Sequence, residues 1–159
     1  SIKYLNESKK LGTAGALSLM PKSEIVGPVL VMNGDILTTI NLSHLYHFFR
    51  ANNSEITIAA TDYEIQVPYG VIKNDGVNVI SMQEKPSQRF FCNAGIYALS
   101  SKVINDIPLN KFFNMTDVIE KCICEGANVT VFPLHEYWTD IGTPKDLNHA
   151  NDMYKEYAK

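Results

Sequence analysis

The chain has 159 residues, 45% hydrophobic and 19% charged, with 14 Lys and Arg against 17 Asp and Glu and a net charge of −3. That length suits a single domain with a sizeable core, burying roughly 70% of the unfolded surface, and the charge balance excludes general attraction to nucleic acid or anionic membrane. No apolar run approaches the ~18 residues of a membrane span, and Lys3, Glu7, Lys9 and Lys10 break any signal-peptide core, so a soluble cytoplasmic protein is expected.

The segments alternate between helical and strand patterns, which predicts an α/β sheet. "GTAGALSLM", ending at Pro21, reads as a glycine-entered helix, and "PVLVM" as a continuous apolar strand buried on both faces, as parallel strands usually are. Asn33-Gly34 then admits two readings. It is either a hairpin turn or a strand exit that delivers Asp35 to a sheet edge. Asn41 is the expected N-cap of "LSHLYHFFRAN", with Leu42, Leu45, Phe48 and Phe49 at helical spacing. "EITIAATDY" (Glu55–Tyr63) is the next strand. "YGVIK" and "VNVISMQEK", joined across Asn74-Asp75-Gly76, form the better hairpin, because alternating Val77, Val79 and Met82 follow Asp-Gly directly. "FCNAGIYALS" is a further apolar strand, "MTDVIEKCICEG" a helix with Thr116 as cap and Gly126 as stop, and "NVTVFPL" a strand. Thr143-Pro144 opens a last helix, "KDLNHANDMYKEYAK".

Candidate chemistry falls in three places. Gly12 and Gly15 at a helix entrance would let a ligand approach backbone N–H groups, although two glycines before a helix also serve as a plain turn. Asp35 and Asp140 each follow an apolar or aromatic run and precede a turn, so both suit one strand-end edge. Two hard oxygen ligands there fit Mg²⁺, and a turn residue and a helix cap are the bland alternatives. In "QEKP", Glu84 and Lys85 read either as a solvated pair or as a lysine aimed at phosphate, with Pro86 predicting an extended backbone at Lys85. His44, His47, His135 and His149 form no zinc motif, and Cys92, Cys122 and Cys124, an odd number without ligand spacing, are expected as free thiols.

In order along the chain, "LGTAGAL", "VMNGD", "PYGVI", "QEKP", "NAGIYALS" and "YWTDIGTPKDL" resemble the sugar-phosphate nucleotidyltransferases, especially their mannose-1-phosphate guanylyltransferase-like branch. The resemblance implies a GT-A-like, Rossmann-related mixed sheet flanked by helices, incomplete at the N-terminus, and a single partial domain over residues 1–159. It implies a nucleoside triphosphate, GTP favoured, and a sugar 1-phosphate as substrates. The sugar phosphate would attack the α-phosphorus to give an NDP-sugar and pyrophosphate. By the same resemblance, Leu11, Gly12, Thr13 and Gly34 would contact the nucleotide, and Asp35 and Asp140 would hold Mg²⁺. Gly70, Glu84, Asn93 and Gly95 would line the sugar pocket, and Lys85 would bind the sugar's phosphate.

The family's glycine-rich "GxGTRL" loop, which cradles the triphosphate, is not among these residues. The expectation is therefore a chain inactive by itself, with the strand "PVLVM" left at an exposed edge that favours homo-oligomerisation. The rival reading is a non-catalytic nucleotide-sugar binding or regulatory module.

Overall fold

A computed structural model describes residues 2–157, apart from the side chains of His149 and of residues 154–157. Near the start, the glycine-entered segment makes only one α-helical turn, α1 (Gly12–Gly15), followed by 3-10 turns at Ala16–Leu19 and Lys22–Glu24. The longer helix expected there does not form. Gly15 is packed so closely that an added Cβ would lie 2.6 Å from Lys111 O, so the chain follows its neighbour instead of its own helical pattern. The apolar run is β1 (Val29–Met32); a short β2 (Ile36–Thr38), which the sequence pattern did not reveal, precedes α2 (Leu42–Ala51). Asn41 caps α2 by accepting from the Ser43 N–H at 3.0 Å.

β3 (Ile56–Gln66) is followed by the hairpin β4 (Val71–Asp75) and β5 (Asn78–Gln83), then by the long β6 (Ser87–Leu99). The hairpin lies where Asp75-Gly76 places it, with Gly76 at φ +57. The chain continues through α3 (Ser101–Asn105), α4 (Met115–Cys124), β7 (Val129–Leu134), a second unforeseen short strand β8 (Trp138–Asp140) and α5 (Pro144–Tyr157). Thr143 caps α5, exchanging hydrogen bonds with Asp146.

The main sheet has the order β1-β6-β3-β7. β6 is antiparallel to both β1 and β3, whereas β3 and β7 are parallel. β1 is thus an antiparallel edge strand and not the doubly buried parallel strand its composition suggested. Val29 and Val31 pack inward, while Leu30 and Met32 are 37% and 49% exposed, because α2 packs over β3, β6 and β7 on the other face and leaves β1 uncovered. On one face of the sheet Ile56, Tyr97 and Leu99 meet Ala14, Ile104, Met115 and Val118. On the opposite face Ala59, Ala94, Ile96 and Ala98 receive Leu45 and Phe49 of α2. Burying a side chain such as Leu45 contributes about 1.5–3 kcal/mol. The two faces together make a three-layered mixed α/β domain. Cys122 is buried and Cys124 exposed, and all three thiols are free.

The cap of α4 differs from expectation. Asp117 reaches back to the Asn114 N–H at 2.8 Å, in a capping box centred on Asn114, and Thr116 stands exposed two residues too late to serve. Asp117→Ala is accordingly expected to cost about 1 kcal/mol in urea denaturation. Thr116→Ala should leave the midpoint nearly unchanged; the reverse ranking would restore Thr116 as the cap.

Candidate functional site

Leaving the sheet after Met32, the backbone turns at Gly34-Asp35, and the Asn33 N–H donates to Gly95 O at 3.0 Å. A hairpin is not formed here. β1 pairs with β6, whereas β2 pairs antiparallel with β8, so the turn passes the chain from one sheet to another. An added Cβ at Gly34 would meet nothing within 4 Å, leaving that backbone open.

The β2–β8 register sets Ile36 opposite Asp140, and Asp35 accepts the Ile141 N–H at 2.8 Å through its carbonyl. Asp35 and Asp140 therefore occupy neighbouring positions, one residue out of step, at one end of the small sheet. Both are exposed, and neither carboxylate has a hydrogen-bond or ion-pair partner among the described residues. No group of three or more His, Cys, Asp or Glu side chains gathers among the described residues. The pair alone suits Mg²⁺, which takes one or two carboxylates and completes its octahedron with water and substrate phosphate oxygens; a zinc site would demand more.

Beside Asp140 lies a cavity of about 120 Å³ lined by Asn33, Ile36, Asn93, Gly95, Tyr97 and Trp138, with Ala94 at its wall. Its geometry comes from an irregularity in β6. The register runs Ile58 to Tyr97 and then Ala60 to Asn93, so β6 spends extra residues at Ala94-Gly95, where Gly95 takes φ +69. Asn93 bridges the bulge. Its Oδ1 accepts the Gly95 N–H at 2.9 Å, and its Nδ2 donates to Tyr97 Oη at 2.8 Å. Burial raises the Tyr97 phenol above its ordinary range, partly offset by the hydrogen bond from Asn93. Trp138 Nε1 donates to Ala94 O at 2.8 Å, pinning β8 to the same bulge. Asn33, Tyr97 and Trp138 were not singled out from sequence; only their positions beside "GD", "NAG" and "TD" hinted at them.

The remaining predicted residues lie elsewhere. Gly70 and Glu84 come together at the root of the hairpin, where an added Cβ on Gly70 would sit 3.1 Å from Glu84 Oε2. Lys85 beside them adopts φ +46, the left-handed region, and not the extended backbone expected before Pro86. Proline disfavours the right-handed helical region at the preceding residue, and here the chain must also turn sharply from the hairpin into β6. Between Ser87 and Asn93 the strand runs about 20 Å, so Glu84 and Lys85 do not line the cavity.

Leu11, Gly12 and Thr13 nest against the start of α4. Leu11 is buried, the Met115 N–H donates to Thr13 Oγ1 at 2.9 Å, and a Cβ on Gly12 (φ +79) would lie 2.7 Å from Asn114 Oδ1 and Phe113 O. The Ala14 and Gly15 N–H groups, expected to be open to a ligand, both donate to Phe113 O at 3.0 Å.

Gly95→Ala would drive a Cβ to 2.7 Å from Asn33 Nδ2 and 2.8 Å from Ile36 Cδ1 at a left-handed φ. The expected loss is about 2–4 kcal/mol by urea denaturation, strain and overpacking together. A loss below about 0.5 kcal/mol, the size of an ordinary surface change, would show that the bulge is not the tie it looks to be.

Comparison with known proteins agrees with this architecture. The family model described as nucleotidyl transferase matches residues 1–157. A mannose-1-phosphate guanyltransferase of Pichia angusta is 35% identical over 161 residues, covering 97% of this chain and 44% of the relative. Mannose-1-phosphate guanyltransferase 2 of Candida glabrata is 32% identical over 161 residues, with 97% and 44% covered. Among solved structures, HddC of Yersinia pseudotuberculosis superimposes with a TM-score of 0.66 at 26% identity, over 93% of this chain and 64% of that one, and was also solved complexed with GMP-PN. The chain thus spans less than half the length of these two guanyltransferases. Matched by the family model along nearly all of its residues, it belongs to the nucleotidyl transferase family, on the side of the mannose-1-phosphate guanyltransferases.

Proposed function

We propose that this chain supplies the metal and sugar-phosphate side of a sugar-1-phosphate guanylyltransferase. The observation that carries the reading is the strand-end placement of Asp35 and Asp140 beside the Asn33–Asn93–Gly95 cavity. Guanyltransferase names among the relatives, and the GMP-PN complex of HddC, favour GTP as the nucleotide. Phosphoryl-type transfer needs little from the protein beyond positioning and charge neutralisation, and the attacking oxygen belongs to the sugar phosphate. Asp35 and Asp140 would hold Mg²⁺, whose chemistry when bound is to neutralise developing phosphate charge.

Asn93 is held by its two hydrogen bonds with one Nδ2 hydrogen left to meet a sugar hydroxyl, and Gly95, packed against Asn33 and Ile36, forms the bulge that fixes Asn93 there. Glu84 and Gly70 would take the sugar's hydroxyls, and Lys85 would bind its phosphate as a point charge; this reading requires the β3–β6 ribbon to bend so that the hairpin root reaches the cavity. Thr13, the backbone at Gly12 and the open Gly34 would face the nucleotide, with the buried Leu11 side chain anchoring that loop to the core. Turnover requires a triphosphate-binding segment, because no glycine-rich cradle occurs in these 159 residues. The free edge of β1 offers a pairing surface for a second copy. No described helix is long and apolar enough to cross a membrane, and we place the activity in the cytoplasm, beside the nucleotide pool.

The test joins this chain to a triphosphate-binding segment and follows pyrophosphate release from GTP and mannose 1-phosphate. Mg²⁺-dependent release is expected, with Asp35→Asn lowering kcat by about a hundredfold. Binding of GDP-mannose without any release would instead favour the non-catalytic binding module. Lys85→Ala should raise KM for the sugar phosphate by about tenfold to a hundredfold while leaving KM for GTP nearly unchanged. Equal effects on the two substrates would remove Lys85 from the phosphate role.

A further inference from the structure

A second cavity lies away from the candidate site, at the other end of β1. It holds about 490 Å³, within the range of small-molecule sites, and about 17 Å of extended chain separates Pro28 on its rim from Asn33. The loop at Gly27-Pro28 forms one wall, the end of α2 with Phe49 and Arg50 a second, and Ser100-Ser101 a third. Buried Phe49 supplies an apolar floor.

The polar groups on these walls sort by whether they already have partners. Glu55 does: Ser100 Oγ donates to its carboxylate, and Lys102 Nζ lies 3.8 Å away. Its negative charge is therefore offset. Ser54, 6% exposed, is held by a hydrogen bond with Thr130 Oγ1 at 2.8 Å, which fixes its hydroxyl at the wall. Arg50 has no ion pair among the described residues, and Ser101 Oγ no hydrogen bond. The lining thus presents one uncompensated charge, a guanidinium, in a chain whose net charge is −3. Arg50 sits in the last turn of α2, where a cation complements the helix dipole, but the dipole does not account for an open polar cavity in front of it.

We propose that this cavity binds a small organic phosphomonoester. A guanidinium fork matches phosphate oxygens bidentately, the hydroxyl of Ser101 and the side-chain amide of Asn53 can donate to the remaining oxygens, and the carbon portion would lie over Phe49. Inorganic phosphate shares the charged contact but leaves most of the volume unfilled. The site does not depend on the transferase reading, because none of its residues takes part in that chemistry.

NMR titration of the labelled chain with AMP, ribose 5-phosphate, inorganic phosphate and adenosine tests the proposal. AMP and ribose 5-phosphate should shift the amides of Gly27, Asn53, Ser54 and Ser101 along one saturating curve, inorganic phosphate more weakly, and adenosine not at all. Arg50→Gln should weaken AMP binding by about tenfold or more without moving amides elsewhere. Gly27→Asp should abolish it, since an added side chain there meets nothing within 4 Å and sets a negative charge on the rim. Four results would overturn the site: no shift at these amides, equal response to adenosine, affinity unchanged in Arg50→Gln, or shifts confined to Asn33, Asn93 and Gly95. Inorganic phosphate binding as tightly as AMP would overturn the organic part of the assignment.

Discussion

The bulge at Ala94-Gly95 is the constraint around which the molecule is arranged. β6 pairs with β1 on one side and β3 on the other, and packs helices against both faces, so it can deviate from the ladder only where something else takes its unused polar groups. Three groups do so. The Asn33 N–H takes the Gly95 carbonyl, the Asn93 side chain takes the Gly95 N–H, and the Trp138 indole takes the Ala94 carbonyl. Because Asn33 lies at the exit of β1 and Trp138 on β8, the same few residues tie the main sheet to the small β2–β8 sheet. The positions of Asp35 and Asp140 follow from that tie.

This arrangement divides the labour of the site. The bulge end is tied down: the Gly95 N–H and both the Ala94 and Gly95 carbonyls are held, and residues from three strands converge on one cavity. The hairpin end is different. β4 and β5 are exposed throughout, and two-stranded hairpins gain little stability by themselves, so Gly70, Glu84 and Lys85 stand where little packing holds the chain. In the proposed transferase, the reaction would benefit from this division. Metal and nucleotide need fixed geometry, while the sugar phosphate must enter and its product leave.

Local chemistry was legible from the sequence wherever a residue's neighbours in the chain decide its conformation. Asn41 caps α2, Asp75-Gly76 turns the hairpin, and Thr143-Pro144 opens α5 as their types require. Misreadings occurred where a distant partner intervened. Phe113 O takes the N–H groups after Gly12 and holds that stretch to a single helical turn. One misreading was local all the same: Asn114 and Asp117, three residues apart, make the cap that Thr116 was expected to supply. An apolar run such as Val29–Met32 states that a strand is buried somewhere, and says nothing about which neighbour it pairs with or on how many faces it is covered.

By itself the sequence determined the class of fold, the order of most elements, the family, and the candidacy of Asp35, Asp140 and Asn93, since motif order and short-range turn chemistry survive without knowledge of contacts. Only the tertiary structure decided that Asn33-Gly34 is a passage between two sheets. An Asn-Gly hairpin would hold both residues at positive φ, which neither Asn33 nor Gly34 adopts, and what decides between the two is where the following strand finds its hydrogen bonds. Ile36–Thr38 finds them on β8, about a hundred residues further along the chain, a pairing that no local pattern encodes.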